Sequence, residues 1–266
     1  MTRSLAVFLI ALTGMLAGCG IFGDKVDAQK NWTAEQYYRA AKEEFDSGNY
    51  QAAIKLYESL EAKFPFGRFA QQAQIDVAYS YYTEGETAQA VAACDRFMKL
   101  HPNHPNLDYA LYLKALAYFK LDRGFLGAWL EQDLSERDPK ALRESFDAFK
   151  GLVERFPQSI YAEDSHARMA YLVNTLARHE VNVASYYFNR GAYLAAANRA
   201  QSTLQRYPQA PANEDALVMM IRSYEKMGMN DLAVDAQRVL EKNFPRNQIS
   251  RAASGQSGKS WWKFWQ

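Results

Sequence analysis

Gly48-Asn49-Tyr50-Gln51-Ala52-Ala53, followed by an apolar-periodic run to Phe64 and closed by Pro65, is the stretch on which the reading of this 266-residue chain turns. Its glycine and proline stand 17 residues apart (65 − 48). That interval holds one tight turn and a helix of about four turns before proline forbids a further one. The interval recurs from Gly85 to Pro102, Gly191 to Pro208 and Gly228 to Pro245, and the fifth residue after each glycine is alanine: Ala53, Ala90, Ala196 and Ala233. Four matches at fixed offsets mark an internal repeat.

Each part of the unit has a physical task. The glycine supplies the turn between two helices, the alanine lets them approach closely, and the proline ends the second helix. Seven residues before each glycine the first helix carries a small or apolar residue: Ala41, Ala78, Ala184 and Ile221. Units of roughly 34 to 37 residues bury their apolar faces only by stacking on neighbours. The pattern resembles the tetratricopeptide family, which carries Gly, Ala and Pro at these offsets. The expected fold is all-α, an α-solenoid of five tetratricopeptide helix-turn-helix repeats over residues 33–245.

Residues 1–18 read as an address. Met1-Thr2-Arg3 is a short basic head, and Leu5 to Met15 is an apolar run too short to span a bilayer. Leu16-Ala17-Gly18-Cys19 resembles the bacterial lipoprotein box. The resemblance implies that Cys19 becomes the N-terminus and carries S-diacylglycerol and an N-acyl chain. Gly20 stands where lipoproteins kept at the inner membrane usually carry aspartate, which implies the periplasmic face of the outer membrane. Several acyl chains would anchor the protein stably, at about 0.8 kcal/mol per buried methylene. Residues 19–32 form the tether, and Thr33 with Gln36 predicts a capping box at the start of the first helix.

With 31 Lys and Arg against 30 Asp and Glu, no basic surplus points to nucleic acid. After Cys19 only Cys94 remains, which excludes a disulfide framework and reads as a small core residue.

Two units depart from the interval. Matching Ala117-Tyr118 to Ala78-Tyr79 makes Gly124 the third turn, yet the closing proline is Pro157, so 16 residues are inserted. The insertion, assigned to 125–139, contains Phe125, Leu126, Trp129 and Leu134 and ends at the helix-start pair Asp138-Pro139. Such an apolar segment either packs across its hairpin or meets a partner. The fourth unit places 33 residues between Pro157 and Gly191, a helix from about Tyr161 to Arg178 that continues or kinks on to Asn189. Repeats one and two occupy 33–105, and repeats three to five 106–245.

Residues 246–266 differ in kind. They hold Arg246, Arg251, Lys259 and Lys263, no acidic residue, and Trp261-Trp262-Lys263-Phe264-Trp265. Trp261, Trp262 and Trp265 suit an anchor at a membrane headgroup layer or a partner, and equally a tail folded back on the last repeat.

No catalytic signature is present: there is no glycine-rich phosphate loop, no Gly-x-Ser-x-Gly and no His-Glu-x-x-His. His101 and His104 share a loop with Pro102 and Pro105 but have no third ligand nearby, so no metal and no catalytic residue is expected.

What remains is a recognition surface. In tetratricopeptide arrays the first helix of each pair lines the concave face through positions spaced i, i+4 and i+7. Those positions are Tyr38, Lys42 and Phe45, then Ile75, Tyr79 and Tyr82, then Lys114, Tyr118 and Leu121. Aromatic rings with cationic points suit an extended, aromatic-bearing peptide. The later repeats offer Arg178, Val181, Ser185 and Phe188, then Asp215, Val218, Arg222 and Glu225, a mixed charge suited to a folded partner.

Several motifs carry a closer resemblance: Phe64-Pro65-Phe66-Gly67-Arg68-Phe69-Ala70-Gln71-Gln72, Asp95-Arg96-Phe97, His104-Pro105-Asn106-Leu107-Asp108-Tyr109, Arg137-Asp138-Pro139 and Arg190-Gly191-Ala192-Tyr193. With the lipoprotein signal and the repeats, the chain resembles the BamD family, lipoproteins of the outer-membrane β-barrel assembly machinery. The resemblance implies that the N-terminal half receives the aromatic-ending C-terminal signal of unfolded outer-membrane proteins. It implies that the C-terminal half docks on a POTRA domain of BamA and on smaller lipoproteins of the complex. Arg199 matches a family basic residue at the BamA contact, and Arg190 and Arg222 are assigned to the same docking face. The alternative is a periplasmic repeat scaffold for peptidoglycan or cell-division proteins.

Overall fold

The computed structural model describes residues 31–130 and 139–245, with side chains omitted over 121–130. The described residues form ten helices and no strand: α1 (Ala34–Asp46), α2 (Tyr50–Lys63), α3 (Arg68–Glu84), α4 (Thr87–Leu100), α5 (Leu107–Leu130), α6 (Lys140–Arg155), α7 (Ala162–Asn189), α8 (Tyr193–Arg206), α9 (Asn213–Lys226) and α10 (Asn230–Asn243). They pair as five hairpins of the tetratricopeptide type. Two compact units divide at Phe97 and Met98.

Four turns close in one way. Gly48, Gly85, Gly191 and Gly228 take φ of +80°, +86°, +75° and +71°. After each glycine the next residue donates its N–H to the carbonyl five positions back: Asn49 to Glu44 at 2.8 Å, Glu86 to Tyr81 at 2.9 Å, Ala192 to Tyr187 at 3.0 Å and Met229 to Tyr224 at 2.9 Å. This satisfies a carbonyl that the helix end leaves orphaned, and it requires the left-handed conformation that glycine adopts at least cost.

Four second helices also end alike, on an aromatic residue before proline. Phe64, Phe156, Tyr207 and Phe244 have φ of −133°, −131°, −128° and −128°. The proline ring disfavours helical geometry in the residue before it, so the helix stops there. At the start of α1 the capping box forms, with the Gln36 N–H donating to Thr33 Oγ1 at 3.3 Å and the Thr33 N–H to Gln36 Oε1 at 2.8 Å.

The repeat alanines Ala53, Ala90, Ala196 and Ala233 are all buried, as are Ala41, Ala78, Ala184 and Ile221 opposite them. In the first unit Ala41 and Ala53 pack with Tyr37, Tyr57 and Leu60. Cys94 is buried on α4. The second unit holds one core around Leu142, Phe149, Leu172 and Leu176 and another around Ala177, Leu217, Ile221 and Leu240. Each large side chain buried in this way contributes about 2 kcal/mol.

The third hairpin departs from expectation. Gly124 is not a turn, because α5 runs through it to Leu130. A glycine inside a helix costs only about 1 kcal/mol, which apolar neighbours of good helix propensity offset. Part of the expected insertion therefore lengthens the first helix, and α6 begins at Lys140 directly after Pro139. In the fourth unit α7 continues without interruption for 28 residues. No described helix is long and apolar enough to cross a membrane.

Candidate interaction surfaces

In the first unit α1 and α3 carry the expected aromatic residues. Tyr38 packs its ring 5.5 Å from Phe69 and 5.7 Å from Tyr57, and its hydroxyl donates to Asp76 Oδ2 at 2.9 Å. Phe45 lies 5.5 Å from Tyr79, which lies 6.3 Å from Tyr82. Lys42 stands 4.5 Å over the Phe45 ring and pairs with Asp46 one turn on. Tyr38, Lys42 and Phe69 line an open cleft of about 360 Å³ with Glu35, Arg39, Glu43 and Asp46 on its rim. The arrangement offers ring faces flanked by fixed charges of both signs.

Behind Tyr38 lies Asp76, which also accepts from the Gln72 amide at 2.9 Å. Burial pushes its carboxyl above the usual range, against the opposing pull of the Gln72 and Tyr38 hydrogen bonds. The same burial and the nearby Asp76 push the Tyr38 hydroxyl up.

Ile75 does not belong to this surface. It is 3% exposed and sits in the core. Counting back from the turn in steps of i, i+4 and i+7 put it on the cleft, but α3 is covered on more than one side and Ile75 faces its neighbours. Val181 and Val218 are core residues for the same reason.

A second crevice in the first unit, about 270 Å³, is lined by Glu58, Glu61, Gln74, Tyr81 and Arg96 among others. Arg96 pairs with Glu61, and Gln74 donates to the same carboxylate at 2.8 Å, so this polar set is satisfied within the chain.

In the second unit Lys114 stands 5.9 Å over Tyr118 on α5, an aromatic and cationic pair like that of the first unit. Arg190 lies over Tyr186 at 5.0 Å and Arg222 over Phe188 at 4.9 Å; both arginines are exposed. Arg199 is held differently. Its guanidinium donates to Glu180 Oε2 at 2.8 Å, Arg206 donates to Oε1 at 3.2 Å, and Arg143 approaches Oε1 at 3.7 Å. Glu180 is 2% exposed while the three arginines remain 37% to 54% exposed at the side chain. One buried carboxylate thus ties α6 and α8 to α7 and leaves a surplus of cationic charge at the surface.

The sequence does hold one trace of this cluster. Leu172, Leu176 and Ala184 form the buried stripe of α7 at steps of four or eight, and Glu180 falls on that stripe. A carboxylate in an apolar stripe needs partners, but nothing local names them. A further cluster had no signal: Tyr112 stacks on Tyr161 at 4.6 Å and donates to Asp164 at 2.7 Å, and Arg168 bonds Asp164 at 2.5 Å. Burial pushes the Asp164 carboxyl up, but the hydrogen bonds from Arg168 and Tyr112 outweigh it and hold it below its usual range.

Cys19, Trp261, Trp262 and Trp265 lie outside the described residues. Among the described residues no three His, Cys, Asp or Glu side chains gather to hold a metal.

The model of the YfiO family, described as outer membrane lipoprotein, matches residues 30–240. A protein of Neisseria meningitidis named outer membrane protein assembly factor BamD is 46% identical over 260 residues, covering 96% of this chain and 97% of the relative. The chain belongs to the BamD family. Members of the same name from Vibrio cholerae, at 33% identity over 87% of the chain and 97% of theirs, and from Haemophilus influenzae, at 32% over 91% and 90%, are similar along nearly the same span. A BamD-family chain is an outer-membrane-associated assembly factor built of helical repeats, a scaffold and not an enzyme.

Proposed function

We propose that this chain is a lipid-anchored scaffold of the β-barrel assembly machinery, held at the periplasmic face of the outer membrane through S-diacylglycerol and N-acyl groups on Cys19. In this reading the first unit receives the C-terminal, aromatic-ending signal of unfolded outer-membrane proteins, with Lys42 near the peptide carboxylate and Tyr38, Phe45, Tyr79 and Tyr82 against its side chains. The second unit, through Arg190, Arg199 and Arg222, docks on a POTRA domain of BamA beside smaller lipoproteins of the complex. Lys114 and Tyr118 offer the second unit a similar aromatic and cationic chemistry.

The observation that carries the reading is the two ring groups on α1 and α3, Tyr38 with Phe69 and Phe45 with Tyr79 and Tyr82, the first of them lining an open cleft. Tyr38→Ala with Tyr79→Ala is expected to weaken binding of a synthetic peptide ending in phenylalanine by roughly tenfold or more, at about 1 kcal/mol per ring contact. Equal affinity at unchanged stability would reject peptide capture by this cleft.

For docking, Arg199→Glu is a poor probe, because it sets a second carboxylate against buried Glu180 and damages the fold itself. Arg190→Glu and Arg222→Glu touch only exposed side chains that lie over rings. Loss of co-purification with BamA at an unchanged melting temperature is the expected result. Full retention would remove those two residues from the docking face.

A further inference from the structure

The ring arrangement of the first unit recurs in the second once packing, and not a turn glycine, sets the frame. Ala78 and Ala115 each stand 13 residues after a closing proline (78 − 65; 115 − 102), and both are buried, as is Ala41, which matches Ala78 ahead of its own turn. α5 therefore repeats α1 at a shift of 74 positions (115 − 41), and α7 repeats α3 at a shift of 92, the spacing of Pro65 and Pro157 (157 − 65). Gly124, which makes no turn, sets a frame two positions off (117 − 115).

In the packed frame the side chains agree one by one. Tyr112 on α5 stacks 4.6 Å from Tyr161 on the threshold of α7, where Tyr38 lies 5.5 Å from Phe69. Phe119 lies 5.8 Å from Tyr171, where Phe45 lies 5.5 Å from Tyr79. The Tyr112 hydroxyl donates across to Asp164 on α7 at 2.7 Å, as Tyr38 donates to Asp76 on α3 at 2.9 Å. Between its two ring pairs the first unit carries Gln72 and Asp76, and the second carries Asp164 and Arg168 at the same positions. Core packing does not use up this surface: Tyr171 is 48% exposed, and the Asp164 and Arg168 side chains are 45% and 31% exposed.

Two features set what the surface takes. Leu116 stands where Lys42 stands over the Phe45 ring, so the position that offers the first unit a cation for a terminal carboxylate is aliphatic here. Arg168 lies 5.5 Å over the Phe119 ring and is bonded to Asp164, so its charge is compensated within the surface. Tyr112 and Phe119 stand seven residues apart on α5, about 10 Å along its axis, so a segment that meets both ring pairs must be extended over at least about three residues.

We propose that α5 and α7 form a second peptide-binding surface, on which Tyr112 with Tyr161 and Phe119 with Tyr171 take the aromatic side chains of an extended segment that needs no terminal carboxylate. Given the reading of the first unit as a receiver of aromatic peptides, on which this assignment rests, the second unit shares that task.

The test uses the full mature chain with Cys19→Ser and a short peptide of alternating serine and phenylalanine, one phenylalanine replaced by benzoylphenylalanine. The peptide is made both with a free carboxylate and as the C-terminal amide. Photolysis with mass mapping locates each peptide on the chain without any substitution in α5 or α7, and titration gives its affinity. The amide is expected to cross-link within α5 or α7, and the carboxylate peptide within α1 or α3 as well. Tyr171→Ala, at an exposed ring, should weaken the amide roughly fivefold at an unchanged melting temperature, and Tyr79→Ala should weaken it less.

Amide cross-links absent from α5 and α7, or a Tyr171→Ala chain that binds the amide as the parent does, overturn the second surface. The reading of the first unit stands in that case if the carboxylate peptide still maps to α1 and α3, and it falls on its own if that peptide maps only to α5 and α7. Self-association of the chain that Tyr171→Ala abolishes would give the face to a second copy and overturn the proposal as well.

Discussion

In the first unit Asp76 is enclosed with neutral donors, the Tyr38 hydroxyl and the Gln72 amide, whereas in the second unit Glu180 is enclosed with three guanidinium groups. Both units use the same glycine turns and buried alanines, so the difference lies in what surrounds the carboxylate. Neutral donors leave burial as the largest influence on Asp76. Three arginines over-neutralise Glu180 and present cationic edges outward. One arrangement suits an apolar, aromatic peptide; the other suits an acidic surface.

The largest test of that contrast is Glu180→Ala, which leaves three arginines converging without a counter-charge. It should cost the second unit about 3 kcal/mol in denaturant titrations, at the lower end for a broken buried pair because the guanidiniums can turn to water. A loss below about 1 kcal/mol would make the cluster surface decoration. Gly85→Ala in the first unit and Gly228→Ala in the second provide a shared reference. Each places a Cβ on a left-handed backbone, at φ +86° and +71°, and should cost about 1–2 kcal/mol in both units alike. Unequal costs would mean that the units differ in their hairpins and not only in their buried carboxylates.

Asp76 gives a smaller, pH-dependent effect. Its folded carboxyl holds a proton more tightly than the unfolded one, whose value is near 3.8. The first unit therefore gains stability when both states are protonated, and it loses that increment as pH rises from the unfolded value through the raised folded one. Asp76→Asn should flatten this slope in denaturant titrations run from the acid range to neutrality, and a slope of opposite sign would show the carboxylate to be net stabilised by its donors. The smallest change is expected from Glu35→Gln, which breaks an exposed pair with Arg39 one turn on. About 0.3–0.5 kcal/mol is lost there, and less in high salt.

Much of the cleft was legible because it is local. Tyr38, Lys42 and Phe45 lie within two turns of one helix, so their common face follows from helical spacing alone. Ile75 misled because spacing gives a direction around a helix, not what covers that direction. Gly124 misled because a glycine at the right offset makes a turn only if the chain also stops being helical there, and α5 does not. Asp76 looks in sequence like an ordinary helix carboxylate, and Glu180 betrays only that it falls on an apolar stripe, not which groups meet it.

By itself the sequence determined the four turns at Gly48, Gly85, Gly191 and Gly228 and the helix ends before proline, since glycine at positive φ, proline after an aromatic residue and alanine at the crossing act through sterics within a few residues. Only the tertiary structure decided that Glu180 gathers Arg143, Arg199 and Arg206, and that Asp76 keeps neutral company. Arg143 stands 37 positions before Glu180 and Arg206 stands 26 after it. The energy of a buried charge depends on which groups packing brings within a few ångströms, and that is a property of the assembled helices, not of any one of them.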